Sequence, residues 1–343
     1  MTQEVSGTLI LKDKLGNTRM KQKIMNLLLV LMVGVTMFGA RPAYAQEEPP
    51  IDLSLDRNGN QISDAVETEV TTLQALPADQ QRAEIEHFVS KLPISADTLA
   101  LQERAQELSM SLSTAKPEET QAILEELTKI SSELDEDPVI KKVESDLVSL
   151  TGYGIQDSTT PSPSSAAFNL LQKGDILARQ SWFGFLFPWA MKYEHLGNFN
   201  GNSQVFETYP DLFGLFAPGA RLHPLSEWQT KGTYIGLGHN KRVNPSQITW
   251  AVNWAMGKYG TDGRTPYNWD FANKQTDASL YCSQLTWKIH KMAGYDLDSN
   301  AWEYQLYVSI KWGWQVMVIT IPAAAPDEVM LSPYINVYSK GWN

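Results

Sequence analysis

Leu280-Tyr281-Cys282-Ser283-Gln284-Leu285-Thr286-Trp287-Lys288 carries the only cysteine in 343 residues. The segment reads as the start of an amphipathic helix that runs to about Ala293, where Gly294 stops it. Cys282 falls in the first turn of that helix. Unpaired backbone N–H groups and the helix dipole favour negative charge there, which predicts a lowered thiol pKa. The same N–H groups suit a developing oxyanion. Cys282 also shares a stripe with Leu285, Ile289 and Met292, so a small buried hydrophobe is the competing reading.

Compartment sharpens the choice. Lys21 and Lys23 precede an uncharged apolar run from Ile24 to Ala40, and Ala43-Tyr44-Ala45 supplies a small-x-small cleavage pattern. Residues 1–45 therefore read as an N-terminal extension plus signal peptide, with a retained anchor as the alternative. The expected location is exported, in the periplasm or outside the cell. No later stretch is long and apolar enough to span a bilayer. Exported proteins use cysteines mainly in disulfides, so a lone thiol asks for a chemical reason.

Charge divides the remainder in two. Residues 46–157 hold 24 acidic and 8 basic residues, whereas 158–343 hold 13 and 14. All 11 tryptophans lie in the second part. The acidic part repels nucleic acid and the nearly neutral part has no basic stripe, so nucleic-acid binding is excluded. Asp157-Ser158-Thr159-Thr160-Pro161-Ser162-Pro163-Ser164-Ser165 marks a linker by composition.

Within the acidic part, residues 46–70 contain a loop-like segment, Asp56 to Glu67. Asp56, Asn58, Asn60, Asp64 and Glu67 occupy positions 1, 3, 5, 9 and 12 of a Ca²⁺ loop, and Ile62 stands at position 7, where a backbone carbonyl ligates. It resembles the short calcium loops of thrombospondin type 3 and dockerin-like repeats, with Gln61 standing where glycine makes the sharp turn. The other reading is an Asn/Gly turn with Asp64 capping a helix. Residues 71–151 read as helices. Leu101, Ala105, Leu108 and Leu112 recur at 4-3-4 spacing, as do Ile123, Leu127, Ile130 and Leu134, implying a helical hairpin or small bundle. His87 reads as an ordinary surface residue, and the partner of this region is unknown.

From residue 168 the pattern becomes mixed, predicting an α+β domain. Gly174–Ala178, Tyr193–Phe199, Ser203–Thr208 and Thr233–Leu237 read as strands, and Pro245 opens a helix to about Tyr259. Gln315 to Ile321 reads as a buried strand. Four histidines compete as the base for Cys282: His195, His223, His239 and His290. His290 lies eight residues along the same helix, ~12 Å away at 1.5 Å per residue, and is eliminated. If Asn200-Gly201-Asn202 forms a three-residue hairpin loop, Glu207 sits directly opposite His195 on one face. A two-residue Asn-Gly turn would put it on the other face. An exposed surface charge pair is the bland alternative.

Gly174-Asp175-Ile176-Leu177, His195-Leu196-Gly197, Glu207 and Tyr281-Cys282-Ser283-Gln284-Leu285 together resemble the circularly permuted, NlpC-type papain-like amidases, the YiiX-like group. In that group the histidine strand precedes the cysteine helix. Pro266-Tyr267-Asn268-Trp269 and Pro326-Asp327-Glu328 with Ser332-Pro333 resemble further family segments, over about 168 to 335. The resemblance implies a permuted papain-like domain at 168–343. In it Cys282 is the nucleophile, His195 the base and then the acid, Glu207 the orienting carboxylate, and Tyr267 a substrate-pocket residue. Gln284 stands where members often carry Glu, and Trp182 to Trp189 is an unusually aromatic insertion. The implied activity is a thiol hydrolase acting on amides of peptides or cell-wall fragments, with no cofactor in the chemistry. Two rivals stand beside it: a calcium-binding envelope scaffold with a degenerate domain, and a lipid acyltransferase or esterase on the same fold.

Overall fold

A computed structural model describes residues 49–152, 165–180, 187–211, 217–229 and 234–342. The segment read as a signal peptide, most of the 157–165 linker and the Trp182 end of the aromatic insertion lie outside the described residues.

Five helices follow one another in the acidic region: α1 (Asp64–Ala75), α2 (Ala78–Ser90), α3 (Ala96–Leu112), α4 (Pro117–Leu134) and α5 (Pro138–Thr151). Their ends are set by local chemistry. Pro117 and Pro138 start α4 and α5 at positions where no N–H is needed. Asp137 caps α5 by accepting from the amides of Val139 and Ile140 at 2.8 and 3.1 Å. Gly152, with φ +64°, ends it in the left-handed conformation. The expected seam is real: Ala105, Leu108, Leu112, Leu127, Ile130 and Leu134 are buried.

That seam is shared with the C-terminal part of the chain. After the short α6 (Ser165–Asn169), α7 (Pro245–Tyr259) and α8 (Cys282–Met292) come α9 (Trp302–Trp312), α10 (Trp314–Thr320) and α11 (Pro326–Leu331). α9 and α10 pack on the acidic helices, and their side chains belong to the same hydrophobic cluster. Gln102 donates to the carbonyls of Ile310 and Lys311 at 3.0 and 3.2 Å. Lys311 meets Asp135 at 2.5 Å, and the Arg82 guanidinium lies 5.4 Å over the Trp314 ring.

The strand expected at Gln315–Ile321 is helix α10. A seven-residue apolar run fits either element, and only burial decides between them. Val316, Met317 and Thr320 are the buried positions, a helical spacing.

Among the described residues, six antiparallel strands complete the α+β fold: β1 (Ile176–Gln180), β2 (His195–Gly201), β3 (Gln204–Tyr209), β4 (Gly219–Pro224), β5 (Tyr234–Asn240) and β6 (Ile335–Trp342). They form one sheet in the order β4-β3-β2-β1-β5-β6. Its two faces are packed differently. Phe206 and Ala220 meet α7 and α8 on one face, through Ile248, Val252 and Leu285, with Leu280 just before α8 in the same cluster. Leu177, Val205, Ile235 and Leu237 on the other gather around Trp228. Among the described residues, no helix is long and apolar enough to cross a membrane.

Candidate active site

The β2–β3 hairpin positions the first two candidate residues, by a turn other than the expected one. Asn202 and Ser203 form a two-residue turn with φ +52° and +57°, and Gly201, at φ +82°, sits in a bulge beside it. Asn198 pairs with Phe206 and Phe199 with Val205, so facing residues sum to 404 rather than the expected 402. Glu207 is therefore not directly opposite His195. The shift of two keeps both on one face, however, and His195 reaches Glu207 diagonally, Nε2 to Oε2, at 2.6 Å.

Gly197 makes room for this arrangement. A Cβ there would lie 2.5 Å from Val205 Cγ1 and 2.9 Å from Trp228 Cζ2. Its absence lets the Trp228 indole settle over the strand and donate Nε1–H to Glu207 at 3.2 Å. His223 on β4 bonds the same carboxylate through Nδ1 at 2.9 Å. Glu207 thus receives three N–H groups while itself 0 % exposed. Burial opposes its ionisation, but the bonds from His195 and His223 prevail and hold its pKa down to about 2.

His195 is also 0 % exposed, stacked on Tyr209 at 4.3 Å and on Trp228 at 5.5 Å between centroids. Burial lowers its pKa to about 4, against the opposing pull of Glu207. The pair is a neutral imidazole and a carboxylate. With Nε2–H given to Glu207, the free lone pair lies on Nδ1, which has no hydrogen-bond partner.

Cys282 is the first residue of α8, 0 % exposed, and its sulfur lies against the β2 backbone. The thiol reaches the Glu194 carbonyl at 3.8 Å, and the Leu196 amide points at the sulfur. The peptide groups on both sides of His195 thus hold Cys282, while no hydrogen bond joins the sulfur to the His195 ring. The Tyr267 hydroxyl lies within hydrogen-bonding reach of the sulfur.

The lowered thiol pKa expected from the helix start is not what the site produces. Burial pushes the Cys282 thiol up to about 11, although the Leu196 and Ser283 amides favour the thiolate. The resting thiol and the resting imidazole are both neutral.

The loop before α8 is tied down by Gln284. Its Oε1 accepts from the Tyr281 amide at 3.0 Å and from Asn268 at 3.1 Å. Its Nε2 donates to the carbonyls of Lys274 and Thr276 at 2.9 and 3.0 Å. A glutamate has no N–H for those two carbonyls, which explains glutamine here. On the opposite side, Asp327 of α11 accepts from the amides of Met191, Lys192 and Tyr193 at 2.7, 3.1 and 3.0 Å. It fixes the chain entering β2.

The remaining histidines serve elsewhere. His239 bonds Asp175 at 2.6 Å, and Asp175 also accepts from Tyr338 and from the Gln172 amide. His290 is buried beside Asn240 at 3.3 Å. Of the further partners of Glu207, sequence offered His223 only as a competing base and did not single out Trp228. Only their place on the sheet face marks them.

At the N-terminal loop, Gln61 takes φ +66°, the left-handed turn usually made by glycine. The backbone fits a Ca²⁺ loop. In it Asp56 accepts from the amides of Gly59, Asn60 and Gln61, and Asn58 donates to Glu67 at 2.8 Å. Asp64 accepts from the Arg57 amide at 3.1 Å, and Ile62 donates its amide to Asn60. Among the described residues, no three Asp, Glu, His or Cys side chains converge as a metal site.

No protein-family model and no curated protein matches the chain. One solved structure is similar, the crystal structure of metalloprotein yiiX from Escherichia coli O157:H7, DUF1105, at 20% identity and a TM-score of 0.33. The match covers 50% of this chain and 98% of that one.

Proposed function

We propose that the protein is an exported thiol hydrolase that cleaves amide bonds in peptides or cell-wall fragments through a Cys282 thioester, on a permuted papain-like domain. The observation that carries this reading is the buried His195–Glu207 pair at 2.6 Å, with Nδ1 unpartnered on the residue whose flanking peptide groups hold the sulfur.

The steps follow from the tautomer. As Cys282 Sγ attacks the amide carbon, its proton passes to Nδ1, and Glu207 stabilises the imidazolium that forms. The unpaired N–H groups at the start of α8 receive the carbonyl oxygen as it gains charge. Nδ1–H then protonates the leaving nitrogen. Water gives its proton to Nδ1 while attacking the thioester carbon, and the thiol is restored. An alcohol or amine in place of that water makes the same site a transferase.

Alkylation by iodoacetamide tests the reading. With the thiol near 11, the Cys282 rate should climb continuously from pH 6 to pH 10, because the thiolate fraction grows about tenfold per unit below the pKa. It should fall in His195→Ala at neutral pH. A flat profile through neutrality would indicate a preformed thiolate and contradict the neutral pair. Equal rates with and without His195 would leave the scaffold reading standing.

The Ca²⁺ reading of the Asp56–Glu67 loop belongs to the same proposal as a separate site. It requires Asp56, Asp64 and Glu67 to turn inward on binding. Millimolar Ca²⁺ should then raise the melting temperature and chelator should reverse the rise. A melting temperature indifferent to both removes calcium from the account.

A further inference from the structure

Arg179, one residue before the end of β1, lies directly across from His195 in the register and is 8 % exposed. Its guanidinium lies 4.7 Å over the Trp228 ring and 5.4 Å over the Tyr209 ring, the two rings that stack on His195. Its Nε has no hydrogen-bond partner. Glu207, Glu227, Glu194 and Cys282 act on it electrostatically, but no ion pair or hydrogen bond from it to a carboxylate is made among the described residues.

A buried cation with an unused donor is costly to keep unless something completes it. The planar guanidinium fork matches a carboxylate in two parallel bonds, and aromatic faces hold it in one orientation. Neutralising Glu207 explains a positive charge here but not the bare Nε, since Glu207 already accepts from three other N–H groups.

We propose that Arg179 is the anion-binding residue of this site and receives a carboxylate carried by the substrate close to the scissile amide. The substrate class is then amides that bear a free carboxylate beside the bond cleaved, such as an amide to a C-terminal amino acid. This rests on Cys282 being the nucleophile, and two readouts separate the claims.

The first readout compares Cys282 alkylation by iodoacetate and by iodoacetamide in the full chain, with glutathione as the reference thiol. The iodoacetate-to-iodoacetamide ratio should exceed that of glutathione by about tenfold, from charge attraction in a low-dielectric site. It should drop to the glutathione value in Arg179→Gln, with Arg179→Lys between, and Arg179→Lys carries the comparison if the glutamine variant does not fold. The second readout is thermal stabilisation of Cys282→Ser protein by N-acetylglycine, N-acetylglycinamide and inorganic phosphate. Only the first should stabilise, and Arg179→Lys should weaken it. If Cys282 resists both reagents while N-acetylglycine still stabilises, the nucleophile fails and the carboxylate site stands. A glutathione-like ratio with no selective stabilisation overturns the carboxylate site and leaves the nucleophile. Phosphate stabilising as well as N-acetylglycine overturns the carboxylate assignment.

Discussion

Replacing His195 with alanine is expected to lower amide turnover on the order of 10⁴-fold, the upper range for removal of a positioned general base and acid. The effect is large because the thiol rests neutral, near 11, and no preformed thiolate remains to carry a residual rate. The fold should persist. Glu207 keeps His223 and Trp228 as donors, and the sulfur is held by backbone groups of residues 194 and 196 rather than by the ring. The deletion leaves an imidazole-shaped space against Tyr209 and Trp228 with a carboxylate at its end. Free imidazole should therefore restore part of the rate. Unchanged turnover in the variant, or a loss that imidazole does not touch while far-UV dichroism is native, would remove His195 from the chemistry.

Glu207→Gln is the second large effect, and it strikes stability and rate together. The carboxylate accepts from His195, His223 and Trp228. An amide of the same shape has one acceptor oxygen and turns two N–H groups towards N–H donors. Breaking a buried, hydrogen-bonded charge costs about 3–5 kcal/mol, which lowers the melting temperature by roughly 10 °C for a chain of this size. Turnover should fall on the order of 10²–10⁴-fold, because the His195 tautomer is no longer fixed. The loss has a pH signature. A carboxyl held at about 2 in the folded state, from an ordinary value near 4.5, stabilises the protein above pH 4.5 and loses that contribution as pH falls towards 2. The gap in stability between wild type and Glu207→Gln should therefore be full at neutral pH and narrow below pH 4. A constant gap would show that the variant perturbs packing only.

How much of this was legible in the sequence depends on which physics each feature obeys. The helix from Cys282 to Met292 and the helix from Pro245 to Tyr259 obey local rules, a proline start and an apolar stripe, and they form where expected. The His195–Glu207 contact was legible only through parity. The turn moved to Asn202-Ser203, and nothing in a serine announces positive φ. The even shift kept both side chains on one face. β4, Gly219-Ala220-Arg221-Leu222-His223-Pro224, has no clean alternation and ends in proline, so His223 was weighed as a free competitor rather than as a third partner. α9 is buried nearly all round, and its buried positions include Gln305, Ser309 and Lys311, because α9 and α10 pack between the acidic helices and the rest of the chain. Such segments carry no periodic signal.

The thiol pKa shows a different limit. Position at a helix start is local and argues for a thiolate, whereas burial to 0 % exposure is tertiary and argues the other way. Burial wins because a thiolate in a dry site loses more hydration than two amides return. Gln284 teaches the same point in reverse. Its four bonds close a loop whose far end lies sixteen residues upstream at Asn268, and only the folded chain shows why an amide is required.

The most direct test is intact-mass detection of an acyl group on the protein after brief mixing with p-nitrophenyl acetate. Wild-type protein should gain one acetyl group, located to the Cys282 peptide, and lose it again with time, while His195→Ala should acquire it on the order of 10²-fold more slowly. An acetyl group found elsewhere in the chain, or one that forms on Cys282 just as fast without His195, would contradict the account.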